Sequence, residues 1–291
     1  MFSGSNVAIV TPFKNGQIDE KKLEELIDWH IENSTSGIVP CGTTGESATL
    51  SHEEHKRVIE VTVSKVNKRV KVIAGTGSNN TKEAIELTQY AQKVGADGAL
   101  VITPYYNKPT QHGLYLHFKK IAENTDIPII LYNVPGRTGV NMLPETVIKL
   151  SKIKNIVGVK EASGSMDQAT QIIRLCGSDF DFLSGDDALT YPFLAIGGKG
   201  VISVVANIIP QDIARMIELY NKGEVKKACA LHLKMYPLMK AMFIETNPIP
   251  IKTAMGIMGK IKDELRLPLC SMKEENKEKL KKVMKEYGLL Q

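Results

Sequence analysis

The hydrophobic and polar positions of this chain alternate between two patterns. Short apolar runs rich in β-branched residues are bounded by turn residues, and each is followed by a longer segment with apolar residues at helical spacing. Eight such strand–helix units precede residue 222. The predicted strands cover residues 7–11, 37–40, 70–74, 99–103, 128–132, 156–160, 180–184 and 200–204.

The predicted helices begin at recognisable start signals. Asp19 can cap the first helix, and Ser51 with Glu54 matches a capping box, in which each side chain bonds the backbone amide of the other residue. The remaining helices are predicted to begin near residues 81, 110, 144, 166, 187 and 210.

Several of the strands are apolar on both faces, as buried parallel strands are; IPIILY and GVISVV are examples. Eight units favour a (β/α)8 TIM barrel over a doubly wound open sheet, which usually has fewer strands and often carries a nucleotide loop. Three further helical patterns follow, at about 224–243, 248–259 and 273–287. We therefore expect a barrel over 1–222 and a C-terminal helical extension over 223–291 that packs on it.

Composition narrows the function classes. The net charge is +5, and the basic residues are scattered among acidic ones, so no nucleic-acid partner is expected. No apolar run reaches the length of a membrane helix, and the N-terminus lacks the features of a secretory signal. The four cysteines form no CxxC pair. These features predict a cytoplasmic protein with reduced thiols and no membrane partner.

The sequence gives little support for a metal or an organic cofactor. His52 and His55 have a spacing seen among metal ligands, but no third or fourth ligand is evident. Neither GxGxxG nor GxxxxGK[ST] occurs, so the usual dinucleotide and nucleotide loops are absent. We expect no cofactor and no metal.

A barrel places its active site at the carboxyl ends of its strands, so polar residues there are the candidates. Thr43 and Thr44 follow the second strand, Tyr132 and Lys160 end the fifth and sixth, and Asp186 follows the seventh.

Lys160 is the most informative of these candidates. Burial at the barrel mouth would lower the pKa of its ammonium, and a neutral amine is the nucleophile for a Schiff base with a carbonyl substrate. The alternative is a lysine that reaches solvent or pairs with a carboxylate such as Glu161.

Two other segments offer groups for a small anion. The loop CGTTGE at 41–46 has amides and hydroxyls that suit a carboxylate, or it is a plain strand-to-helix connection. Tyr132 can transfer protons, and Arg137 offers a planar fork to a carboxylate. Taken alone, such residues are more often a core tyrosine and a surface arginine.

Seven motifs in order resemble one family over nearly the whole chain. They are CGTTGES (41–47), TPYYNKPTQ (103–111), LYNVPGRTG (131–139), GVKEASG (158–164), SGDD (184–187), GGKGVISV (197–204) and ETNPIP (245–250). The chain resembles the dihydrodipicolinate synthase family, within the N-acetylneuraminate lyase superfamily of Schiff-base aldolases.

The resemblance implies a condensation of pyruvate with L-aspartate 4-semialdehyde to 4-hydroxy-tetrahydrodipicolinate, in lysine and diaminopimelate biosynthesis. It implies that Lys160 forms the imine, that Thr43 and Thr44 hold the pyruvate carboxylate, and that Arg137 holds the semialdehyde carboxylate. Tyr132, Thr44 and Tyr106 would relay protons. Further pocket positions implied by the resemblance are Gly185, Asp186, Ile202 and Asn247.

The resemblance also implies assembly and regulation. Tyr106 would enter the site of a neighbouring subunit, in a dimer that pairs again into a homotetramer. L-lysine would inhibit at a separate site, whose matching positions are Ser47, Ala48, His52, His55, Asn79, Glu83 and Tyr105.

Two alternatives stay open from sequence alone. A sister aldolase of the superfamily would cleave a sugar acid with the same lysine and tyrosine, although such aldolases generally lack the arginine of NVPGRTG. A non-catalytic barrel would bind a keto acid as a sensor.

Overall fold

A computed structural model describes residues 1–291 and contains a closed barrel of eight parallel strands. The strands are β1 (Gly4–Ala8), β2 (Gly37–Val39), β3 (Lys71–Gly75), β4 (Gly98–Ile102), β5 (Ile129–Asn133), β6 (Ile156–Glu161), β7 (Asp181–Ser184) and β8 (Gly200–Ser203). The barrel closes where β1 pairs with β8, in a register that sets Asn6 opposite Ile202. The predicted (β/α)8 fold class is confirmed.

Helices connect successive strands around the outside of the barrel. They are α1 (Glu20–Glu32), α2 (His52–Val66), α3 (Thr81–Val94), α4 (Gln111–Glu123), α5 (Pro135–Thr138), α6 (Pro144–Leu150), α7 (Met166–Cys176), α8 (Thr190–Ala195) and α9 (Pro210–Asn221). Asp19 caps α1, and the predicted capping box of Ser51 and Glu54 is present at α2. Both start signals therefore work as the sequence indicated.

Three local features differ from the sequence-based expectation. The predicted helix from residue 187 is a 3-10 turn, Asp187–Leu189, followed by α8. The Asp187 carboxylate accepts the backbone amides of Val204 and Val205. A short hairpin pairs Phe13–Lys14 with Gln17–Ile18, and α5 follows β5. These short elements have too few residues to show a period.

The extension consists of α10 (Val225–Ala241), α11 (Ile249–Ile257) and α12 (Glu274–Tyr287). Its buried residues Met235, Met255 and Leu280 belong to the same hydrophobic cluster as Val7 and Ile38 of the barrel. The division at residue 222 into two domains stays a prediction, and the core runs across it. No helix is both long and apolar enough to cross a membrane.

Candidate active site

Lys160 and Tyr132 lie side by side on adjacent strands. The register of β5 and β6 sets them opposite each other, both are buried, and the Lys160 Nζ atom lies 4.2 Å from the centroid of the Tyr132 ring. The alternative in which Lys160 pairs with Glu161 is wrong. The Glu161 carboxylate instead accepts hydrogen bonds from Asn133 Nδ2 (3.1 Å), Gln168 Nε2 (3.2 Å) and the backbone of Ser163.

The surroundings of Lys160 favour the neutral amine. Burial lowers the pKa of its ammonium to about 7, Asp187 opposes this shift, and the nearby charge of Arg137 adds to it. A large fraction of the amine is therefore uncharged and nucleophilic at neutral pH.

Asp187 is the acidic residue that sequence reasoning missed in the SGDD segment. Its burial raises the pKa of its carboxyl to about 6. The hydrogen bonds from Ser203 and from the backbone amides of Val205 and Val204 act in the opposite direction and lower this pKa. Its Oδ1 atom has no hydrogen-bond partner. The predicted Asp186 is half-buried and uses Oδ1 to cap the turn at Ala188. Nothing in two consecutive aspartates indicates which one turns inward.

Gly185 lies beside the lysine, and Ile202 belongs to the interior of the barrel. The Gly185 amide donates to the carbonyl of Glu161 (2.7 Å), and a Cβ atom on Gly185 would lie only 2.6 Å from that of Ala162. Ile202 is buried in the inner barrel cluster together with Tyr132 and Leu183. Only a residue without a side chain fits at position 185.

The loop from Cys41 to Glu46 forms the predicted threonine turn. Cys41 and Glu46 both have left-handed backbone, with φ of 55° and 54°, which is uncommon for such residues. Thr44 is buried and Thr43 is partly exposed. Burial raises the pKa of the Cys41 thiol, so this cysteine is an inert core residue.

Asn247 of the extension connects two of the predicted binding groups. Its Nδ2 donates to Thr44 Oγ1 (3.0 Å), and its carbonyl accepts from Arg137 Nη2 (3.0 Å). The Arg137 side chain is otherwise exposed. Burial raises the pKa of Tyr132, and the charge of Arg137 and the hydrogen bond with Thr43 only partly oppose this rise. The structure thus brings Thr44, Arg137 and Asn247 together at the barrel mouth.

A cavity of about 440 Å³ contains residues of both predicted sites. Thr43, Tyr132, Arg137 and Asn247 line it, and so do Ser47, Ala48, His52, His55, Glu83 and Tyr105. His55 is buried against the carbonyl of Gly75 (2.7 Å), and burial lowers the pKa of its imidazole. Asn79 lies beside this set and donates to the carbonyl of Tyr105 (3.2 Å).

Tyr106 is placed differently from the other predicted catalytic residues. Its side chain is 90% exposed, it does not line the cavity, and its backbone has a φ of 69°. A bulky residue at positive φ is a strained conformation of the kind found at functional sites. Tyr106 is thus held away from the cavity of its own subunit.

No group of three or more His, Cys, Asp and Glu side chains is arranged to hold a metal ion. The predicted absence of a metal and a cofactor stays a prediction.

An eight-stranded parallel barrel with a buried lysine, a buried tyrosine and a threonine turn at its mouth defines a TIM-barrel enzyme. The model of the dihydrodipicolinate synthetase family matches residues 1–287, and the chain belongs to this family. It is accordingly a lyase, and the resemblance noted from the sequence motifs is confirmed.

Individual relatives agree over their full length. The 4-hydroxy-tetrahydrodipicolinate synthase of Syntrophus aciditrophicus is 62% identical over 290 residues, which cover 100% of both chains. The crystal structure of dihydrodipicolinate synthase from Aquifex aeolicus is 51% identical and matches with a TM-score of 0.97 over 99% of each chain.

Three further solved structures differ in ligand or assembly, and each matches with a TM-score of 0.97. The Acinetobacter baumannii synthase is complexed with pyruvate and is 46% identical over 100% of both chains. The Cyanidioschyzon merolae enzyme has lysine bound and is 44% identical over 99% of both chains. A monomeric synthase variant is 47% identical and covers 99% of this chain and 98% of its own.

Proposed function

We propose that this chain condenses pyruvate with L-aspartate 4-semialdehyde to form 4-hydroxy-tetrahydrodipicolinate, in lysine and diaminopimelate biosynthesis, through a Schiff base on Lys160. The observation that carries the proposal is the buried Lys160 amine, whose pKa falls to about 7 at the mouth of the barrel. The relatives named for this reaction, at about 60% identity over the full chain, support it.

The first half of the reaction joins pyruvate to the enzyme. The hydroxyls and amides of Thr43 and Thr44 bind the pyruvate carboxylate, which leaves the ketone facing the Lys160 amine. The amine attacks the carbonyl carbon, and loss of water gives a protonated imine. Because this imine is itself the electron sink, the step requires neither a metal nor an organic cofactor.

The second half forms the new carbon–carbon bond. Loss of a proton from the methyl carbon gives an enamine, which attacks the aldehyde carbon of the second substrate. The amino group of that substrate then attacks the imine carbon, which closes the ring and releases Lys160 as a free amine. Arg137 holds the carboxylate of the semialdehyde, and Asn247, Gly185, Asp186 and Ile202 shape the pocket around it.

Proton movements are assigned to three hydroxyl groups. Tyr132 lies against the Lys160 amine and can pass protons to it and from it. Asn247 donates to Thr44 Oγ1, so the Thr44 hydroxyl keeps its own proton free to donate onward. Tyr106 of a neighbouring subunit completes the relay, since its own subunit holds it in solvent.

A homotetramer is the assembly we infer, built as a dimer of dimers. The strained, exposed Tyr106 is one apolar feature that a partner would cover. A second exposed apolar set lies on α10 and just beyond it, at Val225, Leu233, Tyr236, Phe243 and Ile244. Two exposed apolar faces suit the two kinds of subunit contact that a dimer of dimers requires. Because one relative is a monomeric variant, the number of subunits has to be measured.

L-lysine is the inhibitor we propose for the second set of residues in the cavity. Glu83 can pair with an amino group of lysine, and burial lowers the pKa of the His55 imidazole, which favours its neutral form and reduces competing positive charge in the site. Tyr105 adjoins Tyr106, so a ligand there can shift the relay tyrosine through a packed contact. The lysine-bound relative supports this assignment. A cytoplasmic location fits this biosynthetic role.

Two measurements test the function. Borohydride reduction with pyruvate should add one pyruvoyl-derived mass at Lys160, and Lys160→Ala should lose this adduct while its circular dichroism stays unchanged. A coupled assay with pyruvate and aspartate semialdehyde should show turnover. Trapping without turnover would indicate a sister aldolase that acts on a sugar acid, and an absence of trapping would indicate a keto-acid sensor.

A further inference from the structure

A completely buried ion pair joins the extension to the threonine turn. Lys252 of α11 and Glu46 of the loop are both fully buried, and the Nζ–Oε1 distance is 2.6 Å. Taking both charges out of water is costly, and such a pair is often no more stabilising than apolar residues of the same size. Stability alone therefore does not account for this pair.

Glu46 holds the end of the turn that carries Thr43 and Thr44. Its amide donates to the carbonyl of Thr43 (3.1 Å), while its backbone keeps the left-handed φ of 54°. Its second carboxylate oxygen accepts the amide of Arg266 (3.3 Å). The side chain therefore fixes a residue whose backbone conformation is costly to maintain.

Lys252 fixes the same turn from the other side. Besides Glu46, its ammonium donates to the carbonyl of Thr11 (2.9 Å), and the Thr11 hydroxyl in turn donates to the carbonyl of Gly45 (2.7 Å). The ammonium also lies 4.3 Å from the centroid of the Phe13 ring. Both hydrogen bonds of the Lys252 ammonium thus end on the turn or on the segment that supports it.

We infer that Lys252 and Glu46 are positioning residues, which hold the Thr43–Thr44 turn in the geometry that receives the pyruvate carboxylate. Glu46 lines the cavity beside Thr43, but its two carboxylate oxygens are occupied by Lys252 and Arg266, so the pair acts through the backbone of the turn. The inference rests on the proposed function, because it assigns the turn to pyruvate. It predicts that disrupting the pair weakens the binding of pyruvate and leaves the binding of the second substrate, whose carboxylate is assigned to Arg137, nearly unchanged.

The decisive variant is Glu46→Gln/Lys252→Met, which removes both charges and keeps the shapes, so no single buried charge is left unpaired. We expect the pyruvate concentration that half-saturates borohydride trapping to rise about tenfold, since small misplacements of a binding group have effects of this size. The KM for the semialdehyde, measured at saturating pyruvate, should change less than about twofold. The matched control is Glu278→Gln/Lys281→Met, the same substitutions in an exposed pair of α12, with wild-type constants expected.

Unchanged half-saturation by pyruvate in the folded double variant would overturn the inference, and so would equal losses for the two substrates. If the double variant does not fold, Glu46→Gln alone decides, because its amide oxygen can still accept from the Lys252 ammonium while its amide nitrogen can no longer accept the backbone amide of Arg266. That single variant should raise the half-saturating pyruvate concentration by a smaller factor, and no rise would refute the idea. A wild-type enzyme that fails to trap pyruvate would instead refute the proposed function.

Discussion

A Cβ atom on Gly185 would lie 3.2 Å from the Cε atom of Lys160, closer than most such contacts in proteins. The same atom would clash with Ala162 at 2.6 Å, so the backbone near Lys160 would have to move. Position 185 must therefore lack a side chain if Lys160 is to keep its position.

Gly185→Ala should consequently slow imine formation by at least about tenfold, because the lysine side chain loses its position next to Tyr132. The measurement is the rate of borohydride trapping at fixed pyruvate. Gly136→Ala is the control, since a Cβ atom there meets no atom within 4 Å. Equal trapping rates in the two variants would show that Gly185 does not control the lysine.

The pH dependence of imine formation should follow the lysine. With a folded pKa of about 7, the neutral amine increases as the pH rises through 7, whereas an ordinary lysine would require a pH near 10.5. The measurement is the initial trapping rate between roughly pH 5.5 and 9, a range that distinguishes a buried lysine of lowered pKa from an ordinary one. This rate should rise with pH, with a midpoint near 7. A midpoint above about 9 would contradict the assigned environment.

Asp187→Asn should move that midpoint to lower pH. The ionised Asp187 raises the pKa of Lys160, so removing its charge leaves desolvation less opposed. The asparagine carbonyl can still accept the amides of Val204 and Val205, which preserves the turn. Asp179→Asn, an exposed change on the approach to β7, should leave the midpoint in place. A midpoint that rises in Asp187→Asn would reverse the assigned sign.

Arg137→Ala should chiefly impair use of the semialdehyde. Loss of a charge-assisted contact to its carboxylate is worth about 2 to 4 kcal/mol of transition-state binding. Trapping of pyruvate at Lys160 should be nearly normal. The exposed Arg174→Ala serves as the comparison, and unchanged kinetic constants for the semialdehyde would refute the role of Arg137.

Mixing two inactive variants tests whether the site is shared. Tyr106→Ala subunits retain Lys160, and Lys160→Ala subunits retain Tyr106, so a mixed dimer contains one complete site. After unfolding and refolding together, the mixture should regain up to about a quarter of wild-type activity, as random pairing predicts. Variants refolded separately and then assayed should stay inactive, and a mixture without recovery would place Tyr106 outside its neighbour's site.

Glu83→Ala should remove inhibition by L-lysine while leaving turnover intact. Ser78 Oγ donates to the Glu83 carboxylate (2.7 Å), which holds it for the amino group of the ligand. Glu86→Ala, one turn further along α3 and exposed, should keep the wild-type inhibition curve. The test is a lysine titration in the coupled assay with calorimetry in parallel. Equal inhibition of both variants would remove Glu83 from the regulatory site.

The sequence predicted what depends on local pattern or on a contiguous motif. The capping box of Ser51 and Glu54 and the strand ending at Lys160 could both be predicted, because each is determined within a few residues. The pairing of Glu46 with Lys252 was beyond sequence analysis, since 206 positions separate them and only the folded core brings them together. The inward turn of Asp187 was missed because its carboxylate is held by the amides of Val204 and Val205, the two residues that follow β8.

The contacts of Asn247 and Lys252 also bear on how this protein can exchange parts with its relatives. A chimera that joins the first 222 residues of one synthase to the tail of another would place a foreign helix against the threonine turn. Recombination at residue 222 would therefore give an active enzyme only when the threonine turn of one parent is compatible with the C-terminal extension of the other. The last quarter of the chain should accordingly be inherited with residues 41–46 rather than independently of them.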